Sequence, residues 1–192
     1  GFGARATLLG HSMGGKTAMT LALARPAAVR ALIVVDIAPA ANPDRFDRLL
    51  AAMAALPLAT VASRAEADAA LATDITDPAL RAFLLKNLVR EGEGWRWRVD
   101  LARLRRCLPA ILDFPEPAAD ARYPGPALFI RGGRSAAIGP AQEDRIAALF
   151  PAARIETIEG AGHWPHAEAP AAFAAIVDTF LGQCRAEAPE SQ

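Results

Sequence analysis

Apolar residues follow two rhythms along this chain, and the switch between them divides it. Short strand-like segments stand at 6–9, 31–35, 127–131 and 153–158; 31–35 is unbroken apolar, whereas Arg154, Glu156 and Thr157 interrupt 153–158. Runs of this length, rich in Leu, Ile and Val, suit strands buried in a parallel sheet. Between them apolar residues recur at helical spacing, over 13–25, 140–150 and 169–181, the last with Phe173, Ile176, Val177 and Phe180 on one stripe. Pro26 closes the first helix, because its ring and missing N–H end the hydrogen-bond ladder. Strand–helix alternation at both ends predicts an α/β fold with a mostly parallel sheet flanked by helices.

Residues 40–118 change character. Asp44 to Leu56 carries Phe46, Leu49, Leu50 and Met53 at helical spacing. Ser63 followed by Glu66 reads as a capping box. Asp77-Pro78 opens a helix with Leu80, Phe83, Leu84 and Leu88 on one stripe. Gly92-Glu93-Gly94 breaks it, Trp95 to Val99 alternates, and 101–112 is helical again. The stretch has no strong strand and is far longer than a single crossover needs, so it predicts an all-helical insertion, a cap. The expected organisation is a core of 1–39 and 119–182, a helical cap of 40–118, and a polar, frayed tail of 183–192.

The chemistry concentrates where the first strand meets the first helix. Gly10-His11-Ser12-Met13-Gly14 is a Gly-x-Ser-x-Gly turn between an apolar run and a helix, the context of a nucleophile elbow. Such a turn strains the serine backbone and lifts its Oγ clear. Gly10 and Gly14 are expected to spare it a Cβ collision, and Gly15 to let the helix sit close. The Met13 N–H, at the helix start, becomes a candidate oxyanion donor.

A serine nucleophile needs a base and a carboxylate that orients the base. His163 stands in a Gly-rich loop just past the 153–158 strand, at the sheet edge where open α/β folds keep their sites. His11 should point away from Ser12 and be structural or line a pocket. His166 precedes the last helix and should pack or cap there. The loop after 127–131, where an acid is usually found, reads Gly132-Gly133-Arg134-Ser135-Ala136-Ala137-Ile138 and holds no carboxylate. Glu143 and Asp144 fall inside a predicted helix. Asp36 ends the 31–35 strand and is the expected acid.

Three stretches carry a family resemblance: Gly10 to Met19, Val34 to Pro39, and Gly162 to Pro170. They resemble the α/β-hydrolase superfamily, and more narrowly the small bacterial esterases of the ybfF type and their mitochondrial relatives. Ser63 to Ala67, Arg81 to Leu88 and Trp95 to Arg98 extend that resemblance into the cap. It implies an α/β-hydrolase fold with a helical cap and a serine hydrolase acting on esters or thioesters, with Ser12, Asp36 and His163 as catalytic residues. Other chemistry on the same triad, such as C–C bond or lactone hydrolysis or perhydrolysis, is the alternative, as is a non-catalytic fragment. Trp95 and Trp97, with His11, are the expected pocket residues.

Composition narrows the partners. Acidic and basic residues balance at 21 each, which gives no electrostatic case for nucleic acid. No apolar run is long enough to span a bilayer. Cys107 and Cys184 lack metal-ligand spacing and read as reduced thiols. A small-molecule ester, no cofactor, no metal and a cytoplasmic location are expected. The elbow lies only twelve residues into the chain. That placement reads as an N-terminally truncated sequence lacking early sheet strands and the second oxyanion donor, expected to be inactive and poorly folded alone.

Overall fold

The computed structural model describes residues 5–42 and 46–186. In chain order the elements are β1 (Ala6–His11), α1 (Met13–Ala24), β2 (Val29–Val35), α2 (Phe46–Ala55), α3 (Arg64–Leu71), α4 (Pro78–Leu85) and β3 (Leu88–Glu91). They continue as β4 (Gly94–Trp97), α5 (Leu101–Leu112), β5 (Ala127–Gly132), α6 (Pro140–Leu149), β6 (Ala153–Ile158), α7 (Pro165–Glu168) and α8 (Pro170–Ala186). The described residues fall into two compact units, one of residues up to Asn42 and from Asp113 onward, the other ending at Leu112.

The first unit is built on a parallel sheet of order β1-β2-β5-β6. Successive side chains of a strand face opposite ways. Leu32, Val34 and Phe129 therefore pack on one face with Met19 and Ala22 of α1 and Ile146 and Leu149 of α6. Ala31, Ile33, Val35, Leu128 and Ile130 pack on the other with Phe180 and Cys184 of α8. Both faces of β2 and β5 are covered, which is why their sequences read as unbroken apolar runs. β1 differs from the buried strand expected at 6–9. It pairs only with β2 among the described residues, and Leu9 is 52% exposed.

The second unit corrects the all-helical reading. β3 and β4 form an antiparallel hairpin in which Leu88 faces Trp97 and Arg90 faces Trp95. Gly92, at φ 60°, takes the left-handed turn that the two-residue connection requires. The α4 stripe stops at Leu85, and Leu88 is spent in the hairpin. Leu56, Leu71, Ile75, Leu85 and Leu88 form a core of this unit, with Trp95 and Trp97 packed against it. At α3, Ser63 caps the N–H of Glu66 at 3.1 Å, but Glu66 returns its carboxylate to the N–H of Ala62, one residue before the cap. Asp77 caps α4 through the N–H groups of Ala79 and Leu80. The helix expected from Asp44 starts at Phe46, and Asp44 lies outside the described residues.

The tail is also corrected. α8 runs on through Ala186 because Cys184 continues its buried face below Phe180, and Gln183 accepts a hydrogen bond from Arg154 at 2.6 Å. The remaining tail residues lie outside the described ones.

Candidate active site

Ser12 occupies the single residue between β1 and α1, at φ 53° and ψ −120°. A non-glycine residue with positive φ costs roughly 1–3 kcal/mol and persists only when its surroundings enforce it. Here the Ser12 N–H continues the parallel ladder to Val35 O at 3.0 Å, while its carbonyl accepts from Gly15 and Lys16 at 2.8 and 3.2 Å. The chain is thus held as strand on one side and helix on the other. A Cβ on Gly10 would stand 2.3 Å from Gly14 O, and one on Gly15 would stand 2.6 Å from Ile37 Cγ2. Gly14 does not share that constraint: a Cβ there would meet nothing within 4 Å. Met13 is the first residue of α1, so its N–H belongs to the turn whose donors have no acceptor within the helix.

Asp36 repeats this logic one strand over. It follows the last residue of β2, sits at φ 51°, and its N–H bonds Ile130 O at 2.8 Å. Its side chain is fully buried. Oδ1 accepts the Gly132 N–H at 3.0 Å, and Oδ2 accepts the Ser135 hydroxyl at 2.5 Å. His163 Nδ1 lies 2.7 Å from the same Oδ2, and His163 Nε2 lies 3.1 Å from Ser12 Oγ. Burial is the strongest single influence on Asp36 and acts to raise its pKa. The hydrogen bonds from His163, Ser135 and Gly132, with the His163 charge, outweigh it and hold the carboxyl below the ordinary aspartate range. An ionised carboxylate only accepts, so Nδ1 of His163 is the donor. In the neutral ring Nε2 is then a lone pair facing the Ser12 hydroxyl.

Ser135 carries no sequence signal. It lies in the loop after β5, its Oγ accepts the Ala137 N–H at 3.2 Å, and that contact leaves its hydrogen to point at Asp36. Glu143 is engaged instead by Arg131.

The loop bearing His163 is pinned from below by Glu168. That carboxylate accepts the N–H groups of Gly162 at 2.8 Å and Trp164 at 3.1 Å and pairs with Arg134 at 3.1 Å. The Gly162 N–H, first among these, draws its pKa below the ordinary glutamate range. Gly132 is needed where this loop crosses β5: a Cβ there would stand 2.0 Å from Gly162 O. His11 packs against both His163 and His166, and His166 in turn meets Phe173. Trp95 and Trp97 are committed inside the second unit. The Trp97 indole donates to Met53 O at 3.0 Å, and Arg90 lies over Trp95 at 4.2 Å. A surface groove of about 570 Å³ runs along Thr20, Leu23, Phe114, Pro115 and Pro117, and its lining includes none of the residues that converge on Ser12.

Residues 1–176 match the family model described as the alpha/beta hydrolase family. This chain belongs to that family. Among alpha/beta hydrolases it is 40% identical over 180 residues to the sn-1-specific diacylglycerol lipase ABHD11 of Mus musculus, covering 91% of this chain and 58% of that protein. It is 36% identical to esterase YbfF of Escherichia coli, covering 92% and 67% of the two chains. A solved marine microorganism esterase superimposes with a TM-score of 0.82 at 34% identity, over 92% of this chain and 70% of its own. The chain therefore spans less than two thirds of the length of the vertebrate alpha/beta hydrolases it matches. No helix among the described residues is long and apolar enough to cross a membrane.

Proposed function

We propose that the protein is a serine hydrolase that cleaves carboxylic esters or thioesters. The observation that carries this reading is the His163 imidazole bridging the Ser12 hydroxyl and a buried, ionised Asp36. Ser12 Oγ attacks the substrate carbonyl while its proton passes to His163 Nε2. The electron pair displaced onto the carbonyl oxygen is met by the Met13 N–H. Collapse expels the alcohol or thiol, which takes the proton from Nε2 and leaves an acyl group on Ser12. Water, deprotonated by the same nitrogen, attacks the acyl carbon and restores the serine. Asp36 keeps Nδ1 protonated and balances the imidazolium; its own proton inventory does not change.

The naming of the relatives as esterases and a lipase supports ester bonds as the target. The separately packed unit that interrupts the sheet between β2 and β5 is read as a substrate-selecting cap, on the ground of its place in the chain and its own core.

The test is labelling by a serine-directed fluorophosphonate, paired with a panel of p-nitrophenyl esters of rising chain length. Wild-type protein, joined to the N-terminal length by which its relatives exceed this chain, should label and turn over. Ser12→Ala should do neither, with a loss of roughly four to six orders of magnitude in kcat. A Ser12→Ala variant retaining a tenth of the activity would sink the mechanism.

A further inference from the structure

His11 and Ser12 are consecutive, yet they hold His163 from two sides. Ser12 Oγ meets the ring at Nε2, whereas His11 Nε2 lies 2.7 Å from the main-chain oxygen of the same residue. A carbonyl oxygen can only accept, so Nε2 of His11 carries the hydrogen and the tautomer is set. The backbone of His11 is itself fixed, as the last residue of β1, in register with Val35. A donor mounted on the sheet thus anchors a residue carried on a loop.

The rest of that loop explains why an anchor is needed. Gly160 has φ 73° and Gly162 stands next to His163, so the backbone there has little stiffness of its own. Glu168 holds the N–H groups on either side of His163, at Gly162 and Trp164. The His163 carbonyl is held by His11. The His11 ring lies 4.8 Å from the rings of both His163 and His166. Burial is the main cause that lowers its pKa; any charge on His163 or His166 acts the same way, and the His163 carbonyl and Asp36 only partly oppose it. At neutral pH the ring is uncharged and adds no positive charge beside His163.

We infer that His11 is a positioning residue, whose Nε2–H grips the His163 main chain and keeps the imidazole aimed at Ser12. The inference rests on the assignment of Ser12 and His163 to ester hydrolysis. Its signature is a loss in kcat without a loss in KM, because the bond that is removed sets the aim of the imidazole, the His163 carbonyl being already engaged by His11. Misplacement of a catalytic group by about 1 Å can cost about a hundredfold.

Three variants separate the hydrogen bond from the packing. In His11→Gln the amide nitrogen takes the place of Nε2. In His11→Phe the ring remains and the donor is gone. In His11→Asn the amide falls short of the carbonyl. With p-nitrophenyl acetate as probe, His11→Gln should keep kcat within about threefold of wild type. His11→Phe and His11→Asn should lose about 10- to 100-fold in kcat, with KM within about twofold. Equal kcat in folded His11→Phe and His11→Gln overturns the inference, as does a parallel collapse of all three. Should His11→Phe not fold, His11→Asn against His11→Gln decides. Nitrogen-15 spectra of the histidine rings give an arm independent of turnover. They should show His11 neutral and protonated on Nε2 at pH 7, and an Nδ1–H tautomer refutes the grip. Absence of labelling and turnover in wild-type protein carrying the N-terminal length of its relatives, with that tautomer intact, defeats the Ser12 reading instead.

Discussion

Ser135 donates its hydroxyl hydrogen to the Asp36 oxygen that also receives His163 Nδ1, at 2.5 and 2.7 Å. The loop in which such folds usually carry their acid thus contributes a neutral donor, and the charge comes from the neighbouring strand. A hydrogen bond to a charged group contributes roughly 1.5–3 kcal/mol. Ser135→Ala should therefore lower kcat/KM by about 10- to 100-fold, and Ser135→Thr should restore most of it. Ser135 is one of the donors that hold the Asp36 carboxyl below the ordinary aspartate range, so its removal should let the Asp36 pKa rise. A Ser135→Thr protein that stays as slow as Ser135→Ala, or a folded Ser135→Ala protein with unchanged kcat/KM, would reduce Ser135 to a packing role.

Asp36→Asn should cost roughly four orders of magnitude in kcat, because an amide in that place favours the wrong imidazole tautomer. Glu143→Gln and Asp144→Asn should stay within a few-fold, since Glu143 is engaged by Arg131. Steady-state kinetics on the three variants decide the acid. A near-silent Asp36→Asn beside a crippling change at 143 or 144 would transfer the role to α6.

The convergence of Ser12, Asp36 and His163 is legible in the sequence for reasons that each residue shows. Ser12 lies in a glycine-rich turn between a run of apolar residues and a helical stripe. Asp36 ends a buried run, and the rival loop is empty of carboxylates. His163 follows a strand between glycines. Ser135 is illegible because a serine in a loop has no pattern, and its partner is 99 residues away. The β3–β4 hairpin is hidden for a different reason. Leu84 and Leu88 stand four apart and extend a helical stripe, so the pairing of Leu88 with Trp97 overrides a local signal. Gly14 belongs to the motif, but sterics in this turn demand only Gly10 and Gly15.

That contrast is measurable. Gly10→Ala and Gly15→Ala should each lower stability by several kcal/mol or prevent folding, because the added methyl meets backbone or packed core atoms at 2.3 and 2.6 Å. Gly14→Ala should be neutral or raise stability by up to about 1 kcal/mol, the difference in helix propensity. Thermal melts of the three variants check the order, and a Gly14→Ala protein as damaged as Gly10→Ala would contradict it.

Acid should destabilise the protein in two stages. His11 has a lowered pKa in the fold, mainly through burial, so the unfolded chain takes up that proton more readily. Its contribution is full above about pH 6.5 and is lost as pH falls through the folded value. The groups facing it are His163, His166 and Asp36. Asp36 and Glu168 are also lowered, so their contributions are present above about pH 4 and vanish below it. Melting temperature should fall between pH 7 and 5 in wild-type protein and less so in His11→Gln, while both should drop together below pH 4. Identical slopes between pH 7 and 5 would remove His11 from the account.

The placing of Ser12 and Asp36 directly after paired strands constrains how the gene can change. Ser12 hangs from Val35 and Asp36 from Ile130 by the last rungs of the sheet. Deleting one codon inside β2 would draw Asp36 back by about 3.3 Å and turn its carboxylate to the opposite face of the sheet. Losing or gaining a codon between Pro115 and Asp120, ahead of the buried Tyr123, by contrast, leaves every rung in place. Natural and engineered length variants that keep activity should therefore cluster in the connections and spare the strands, even where point substitutions within those strands are accepted.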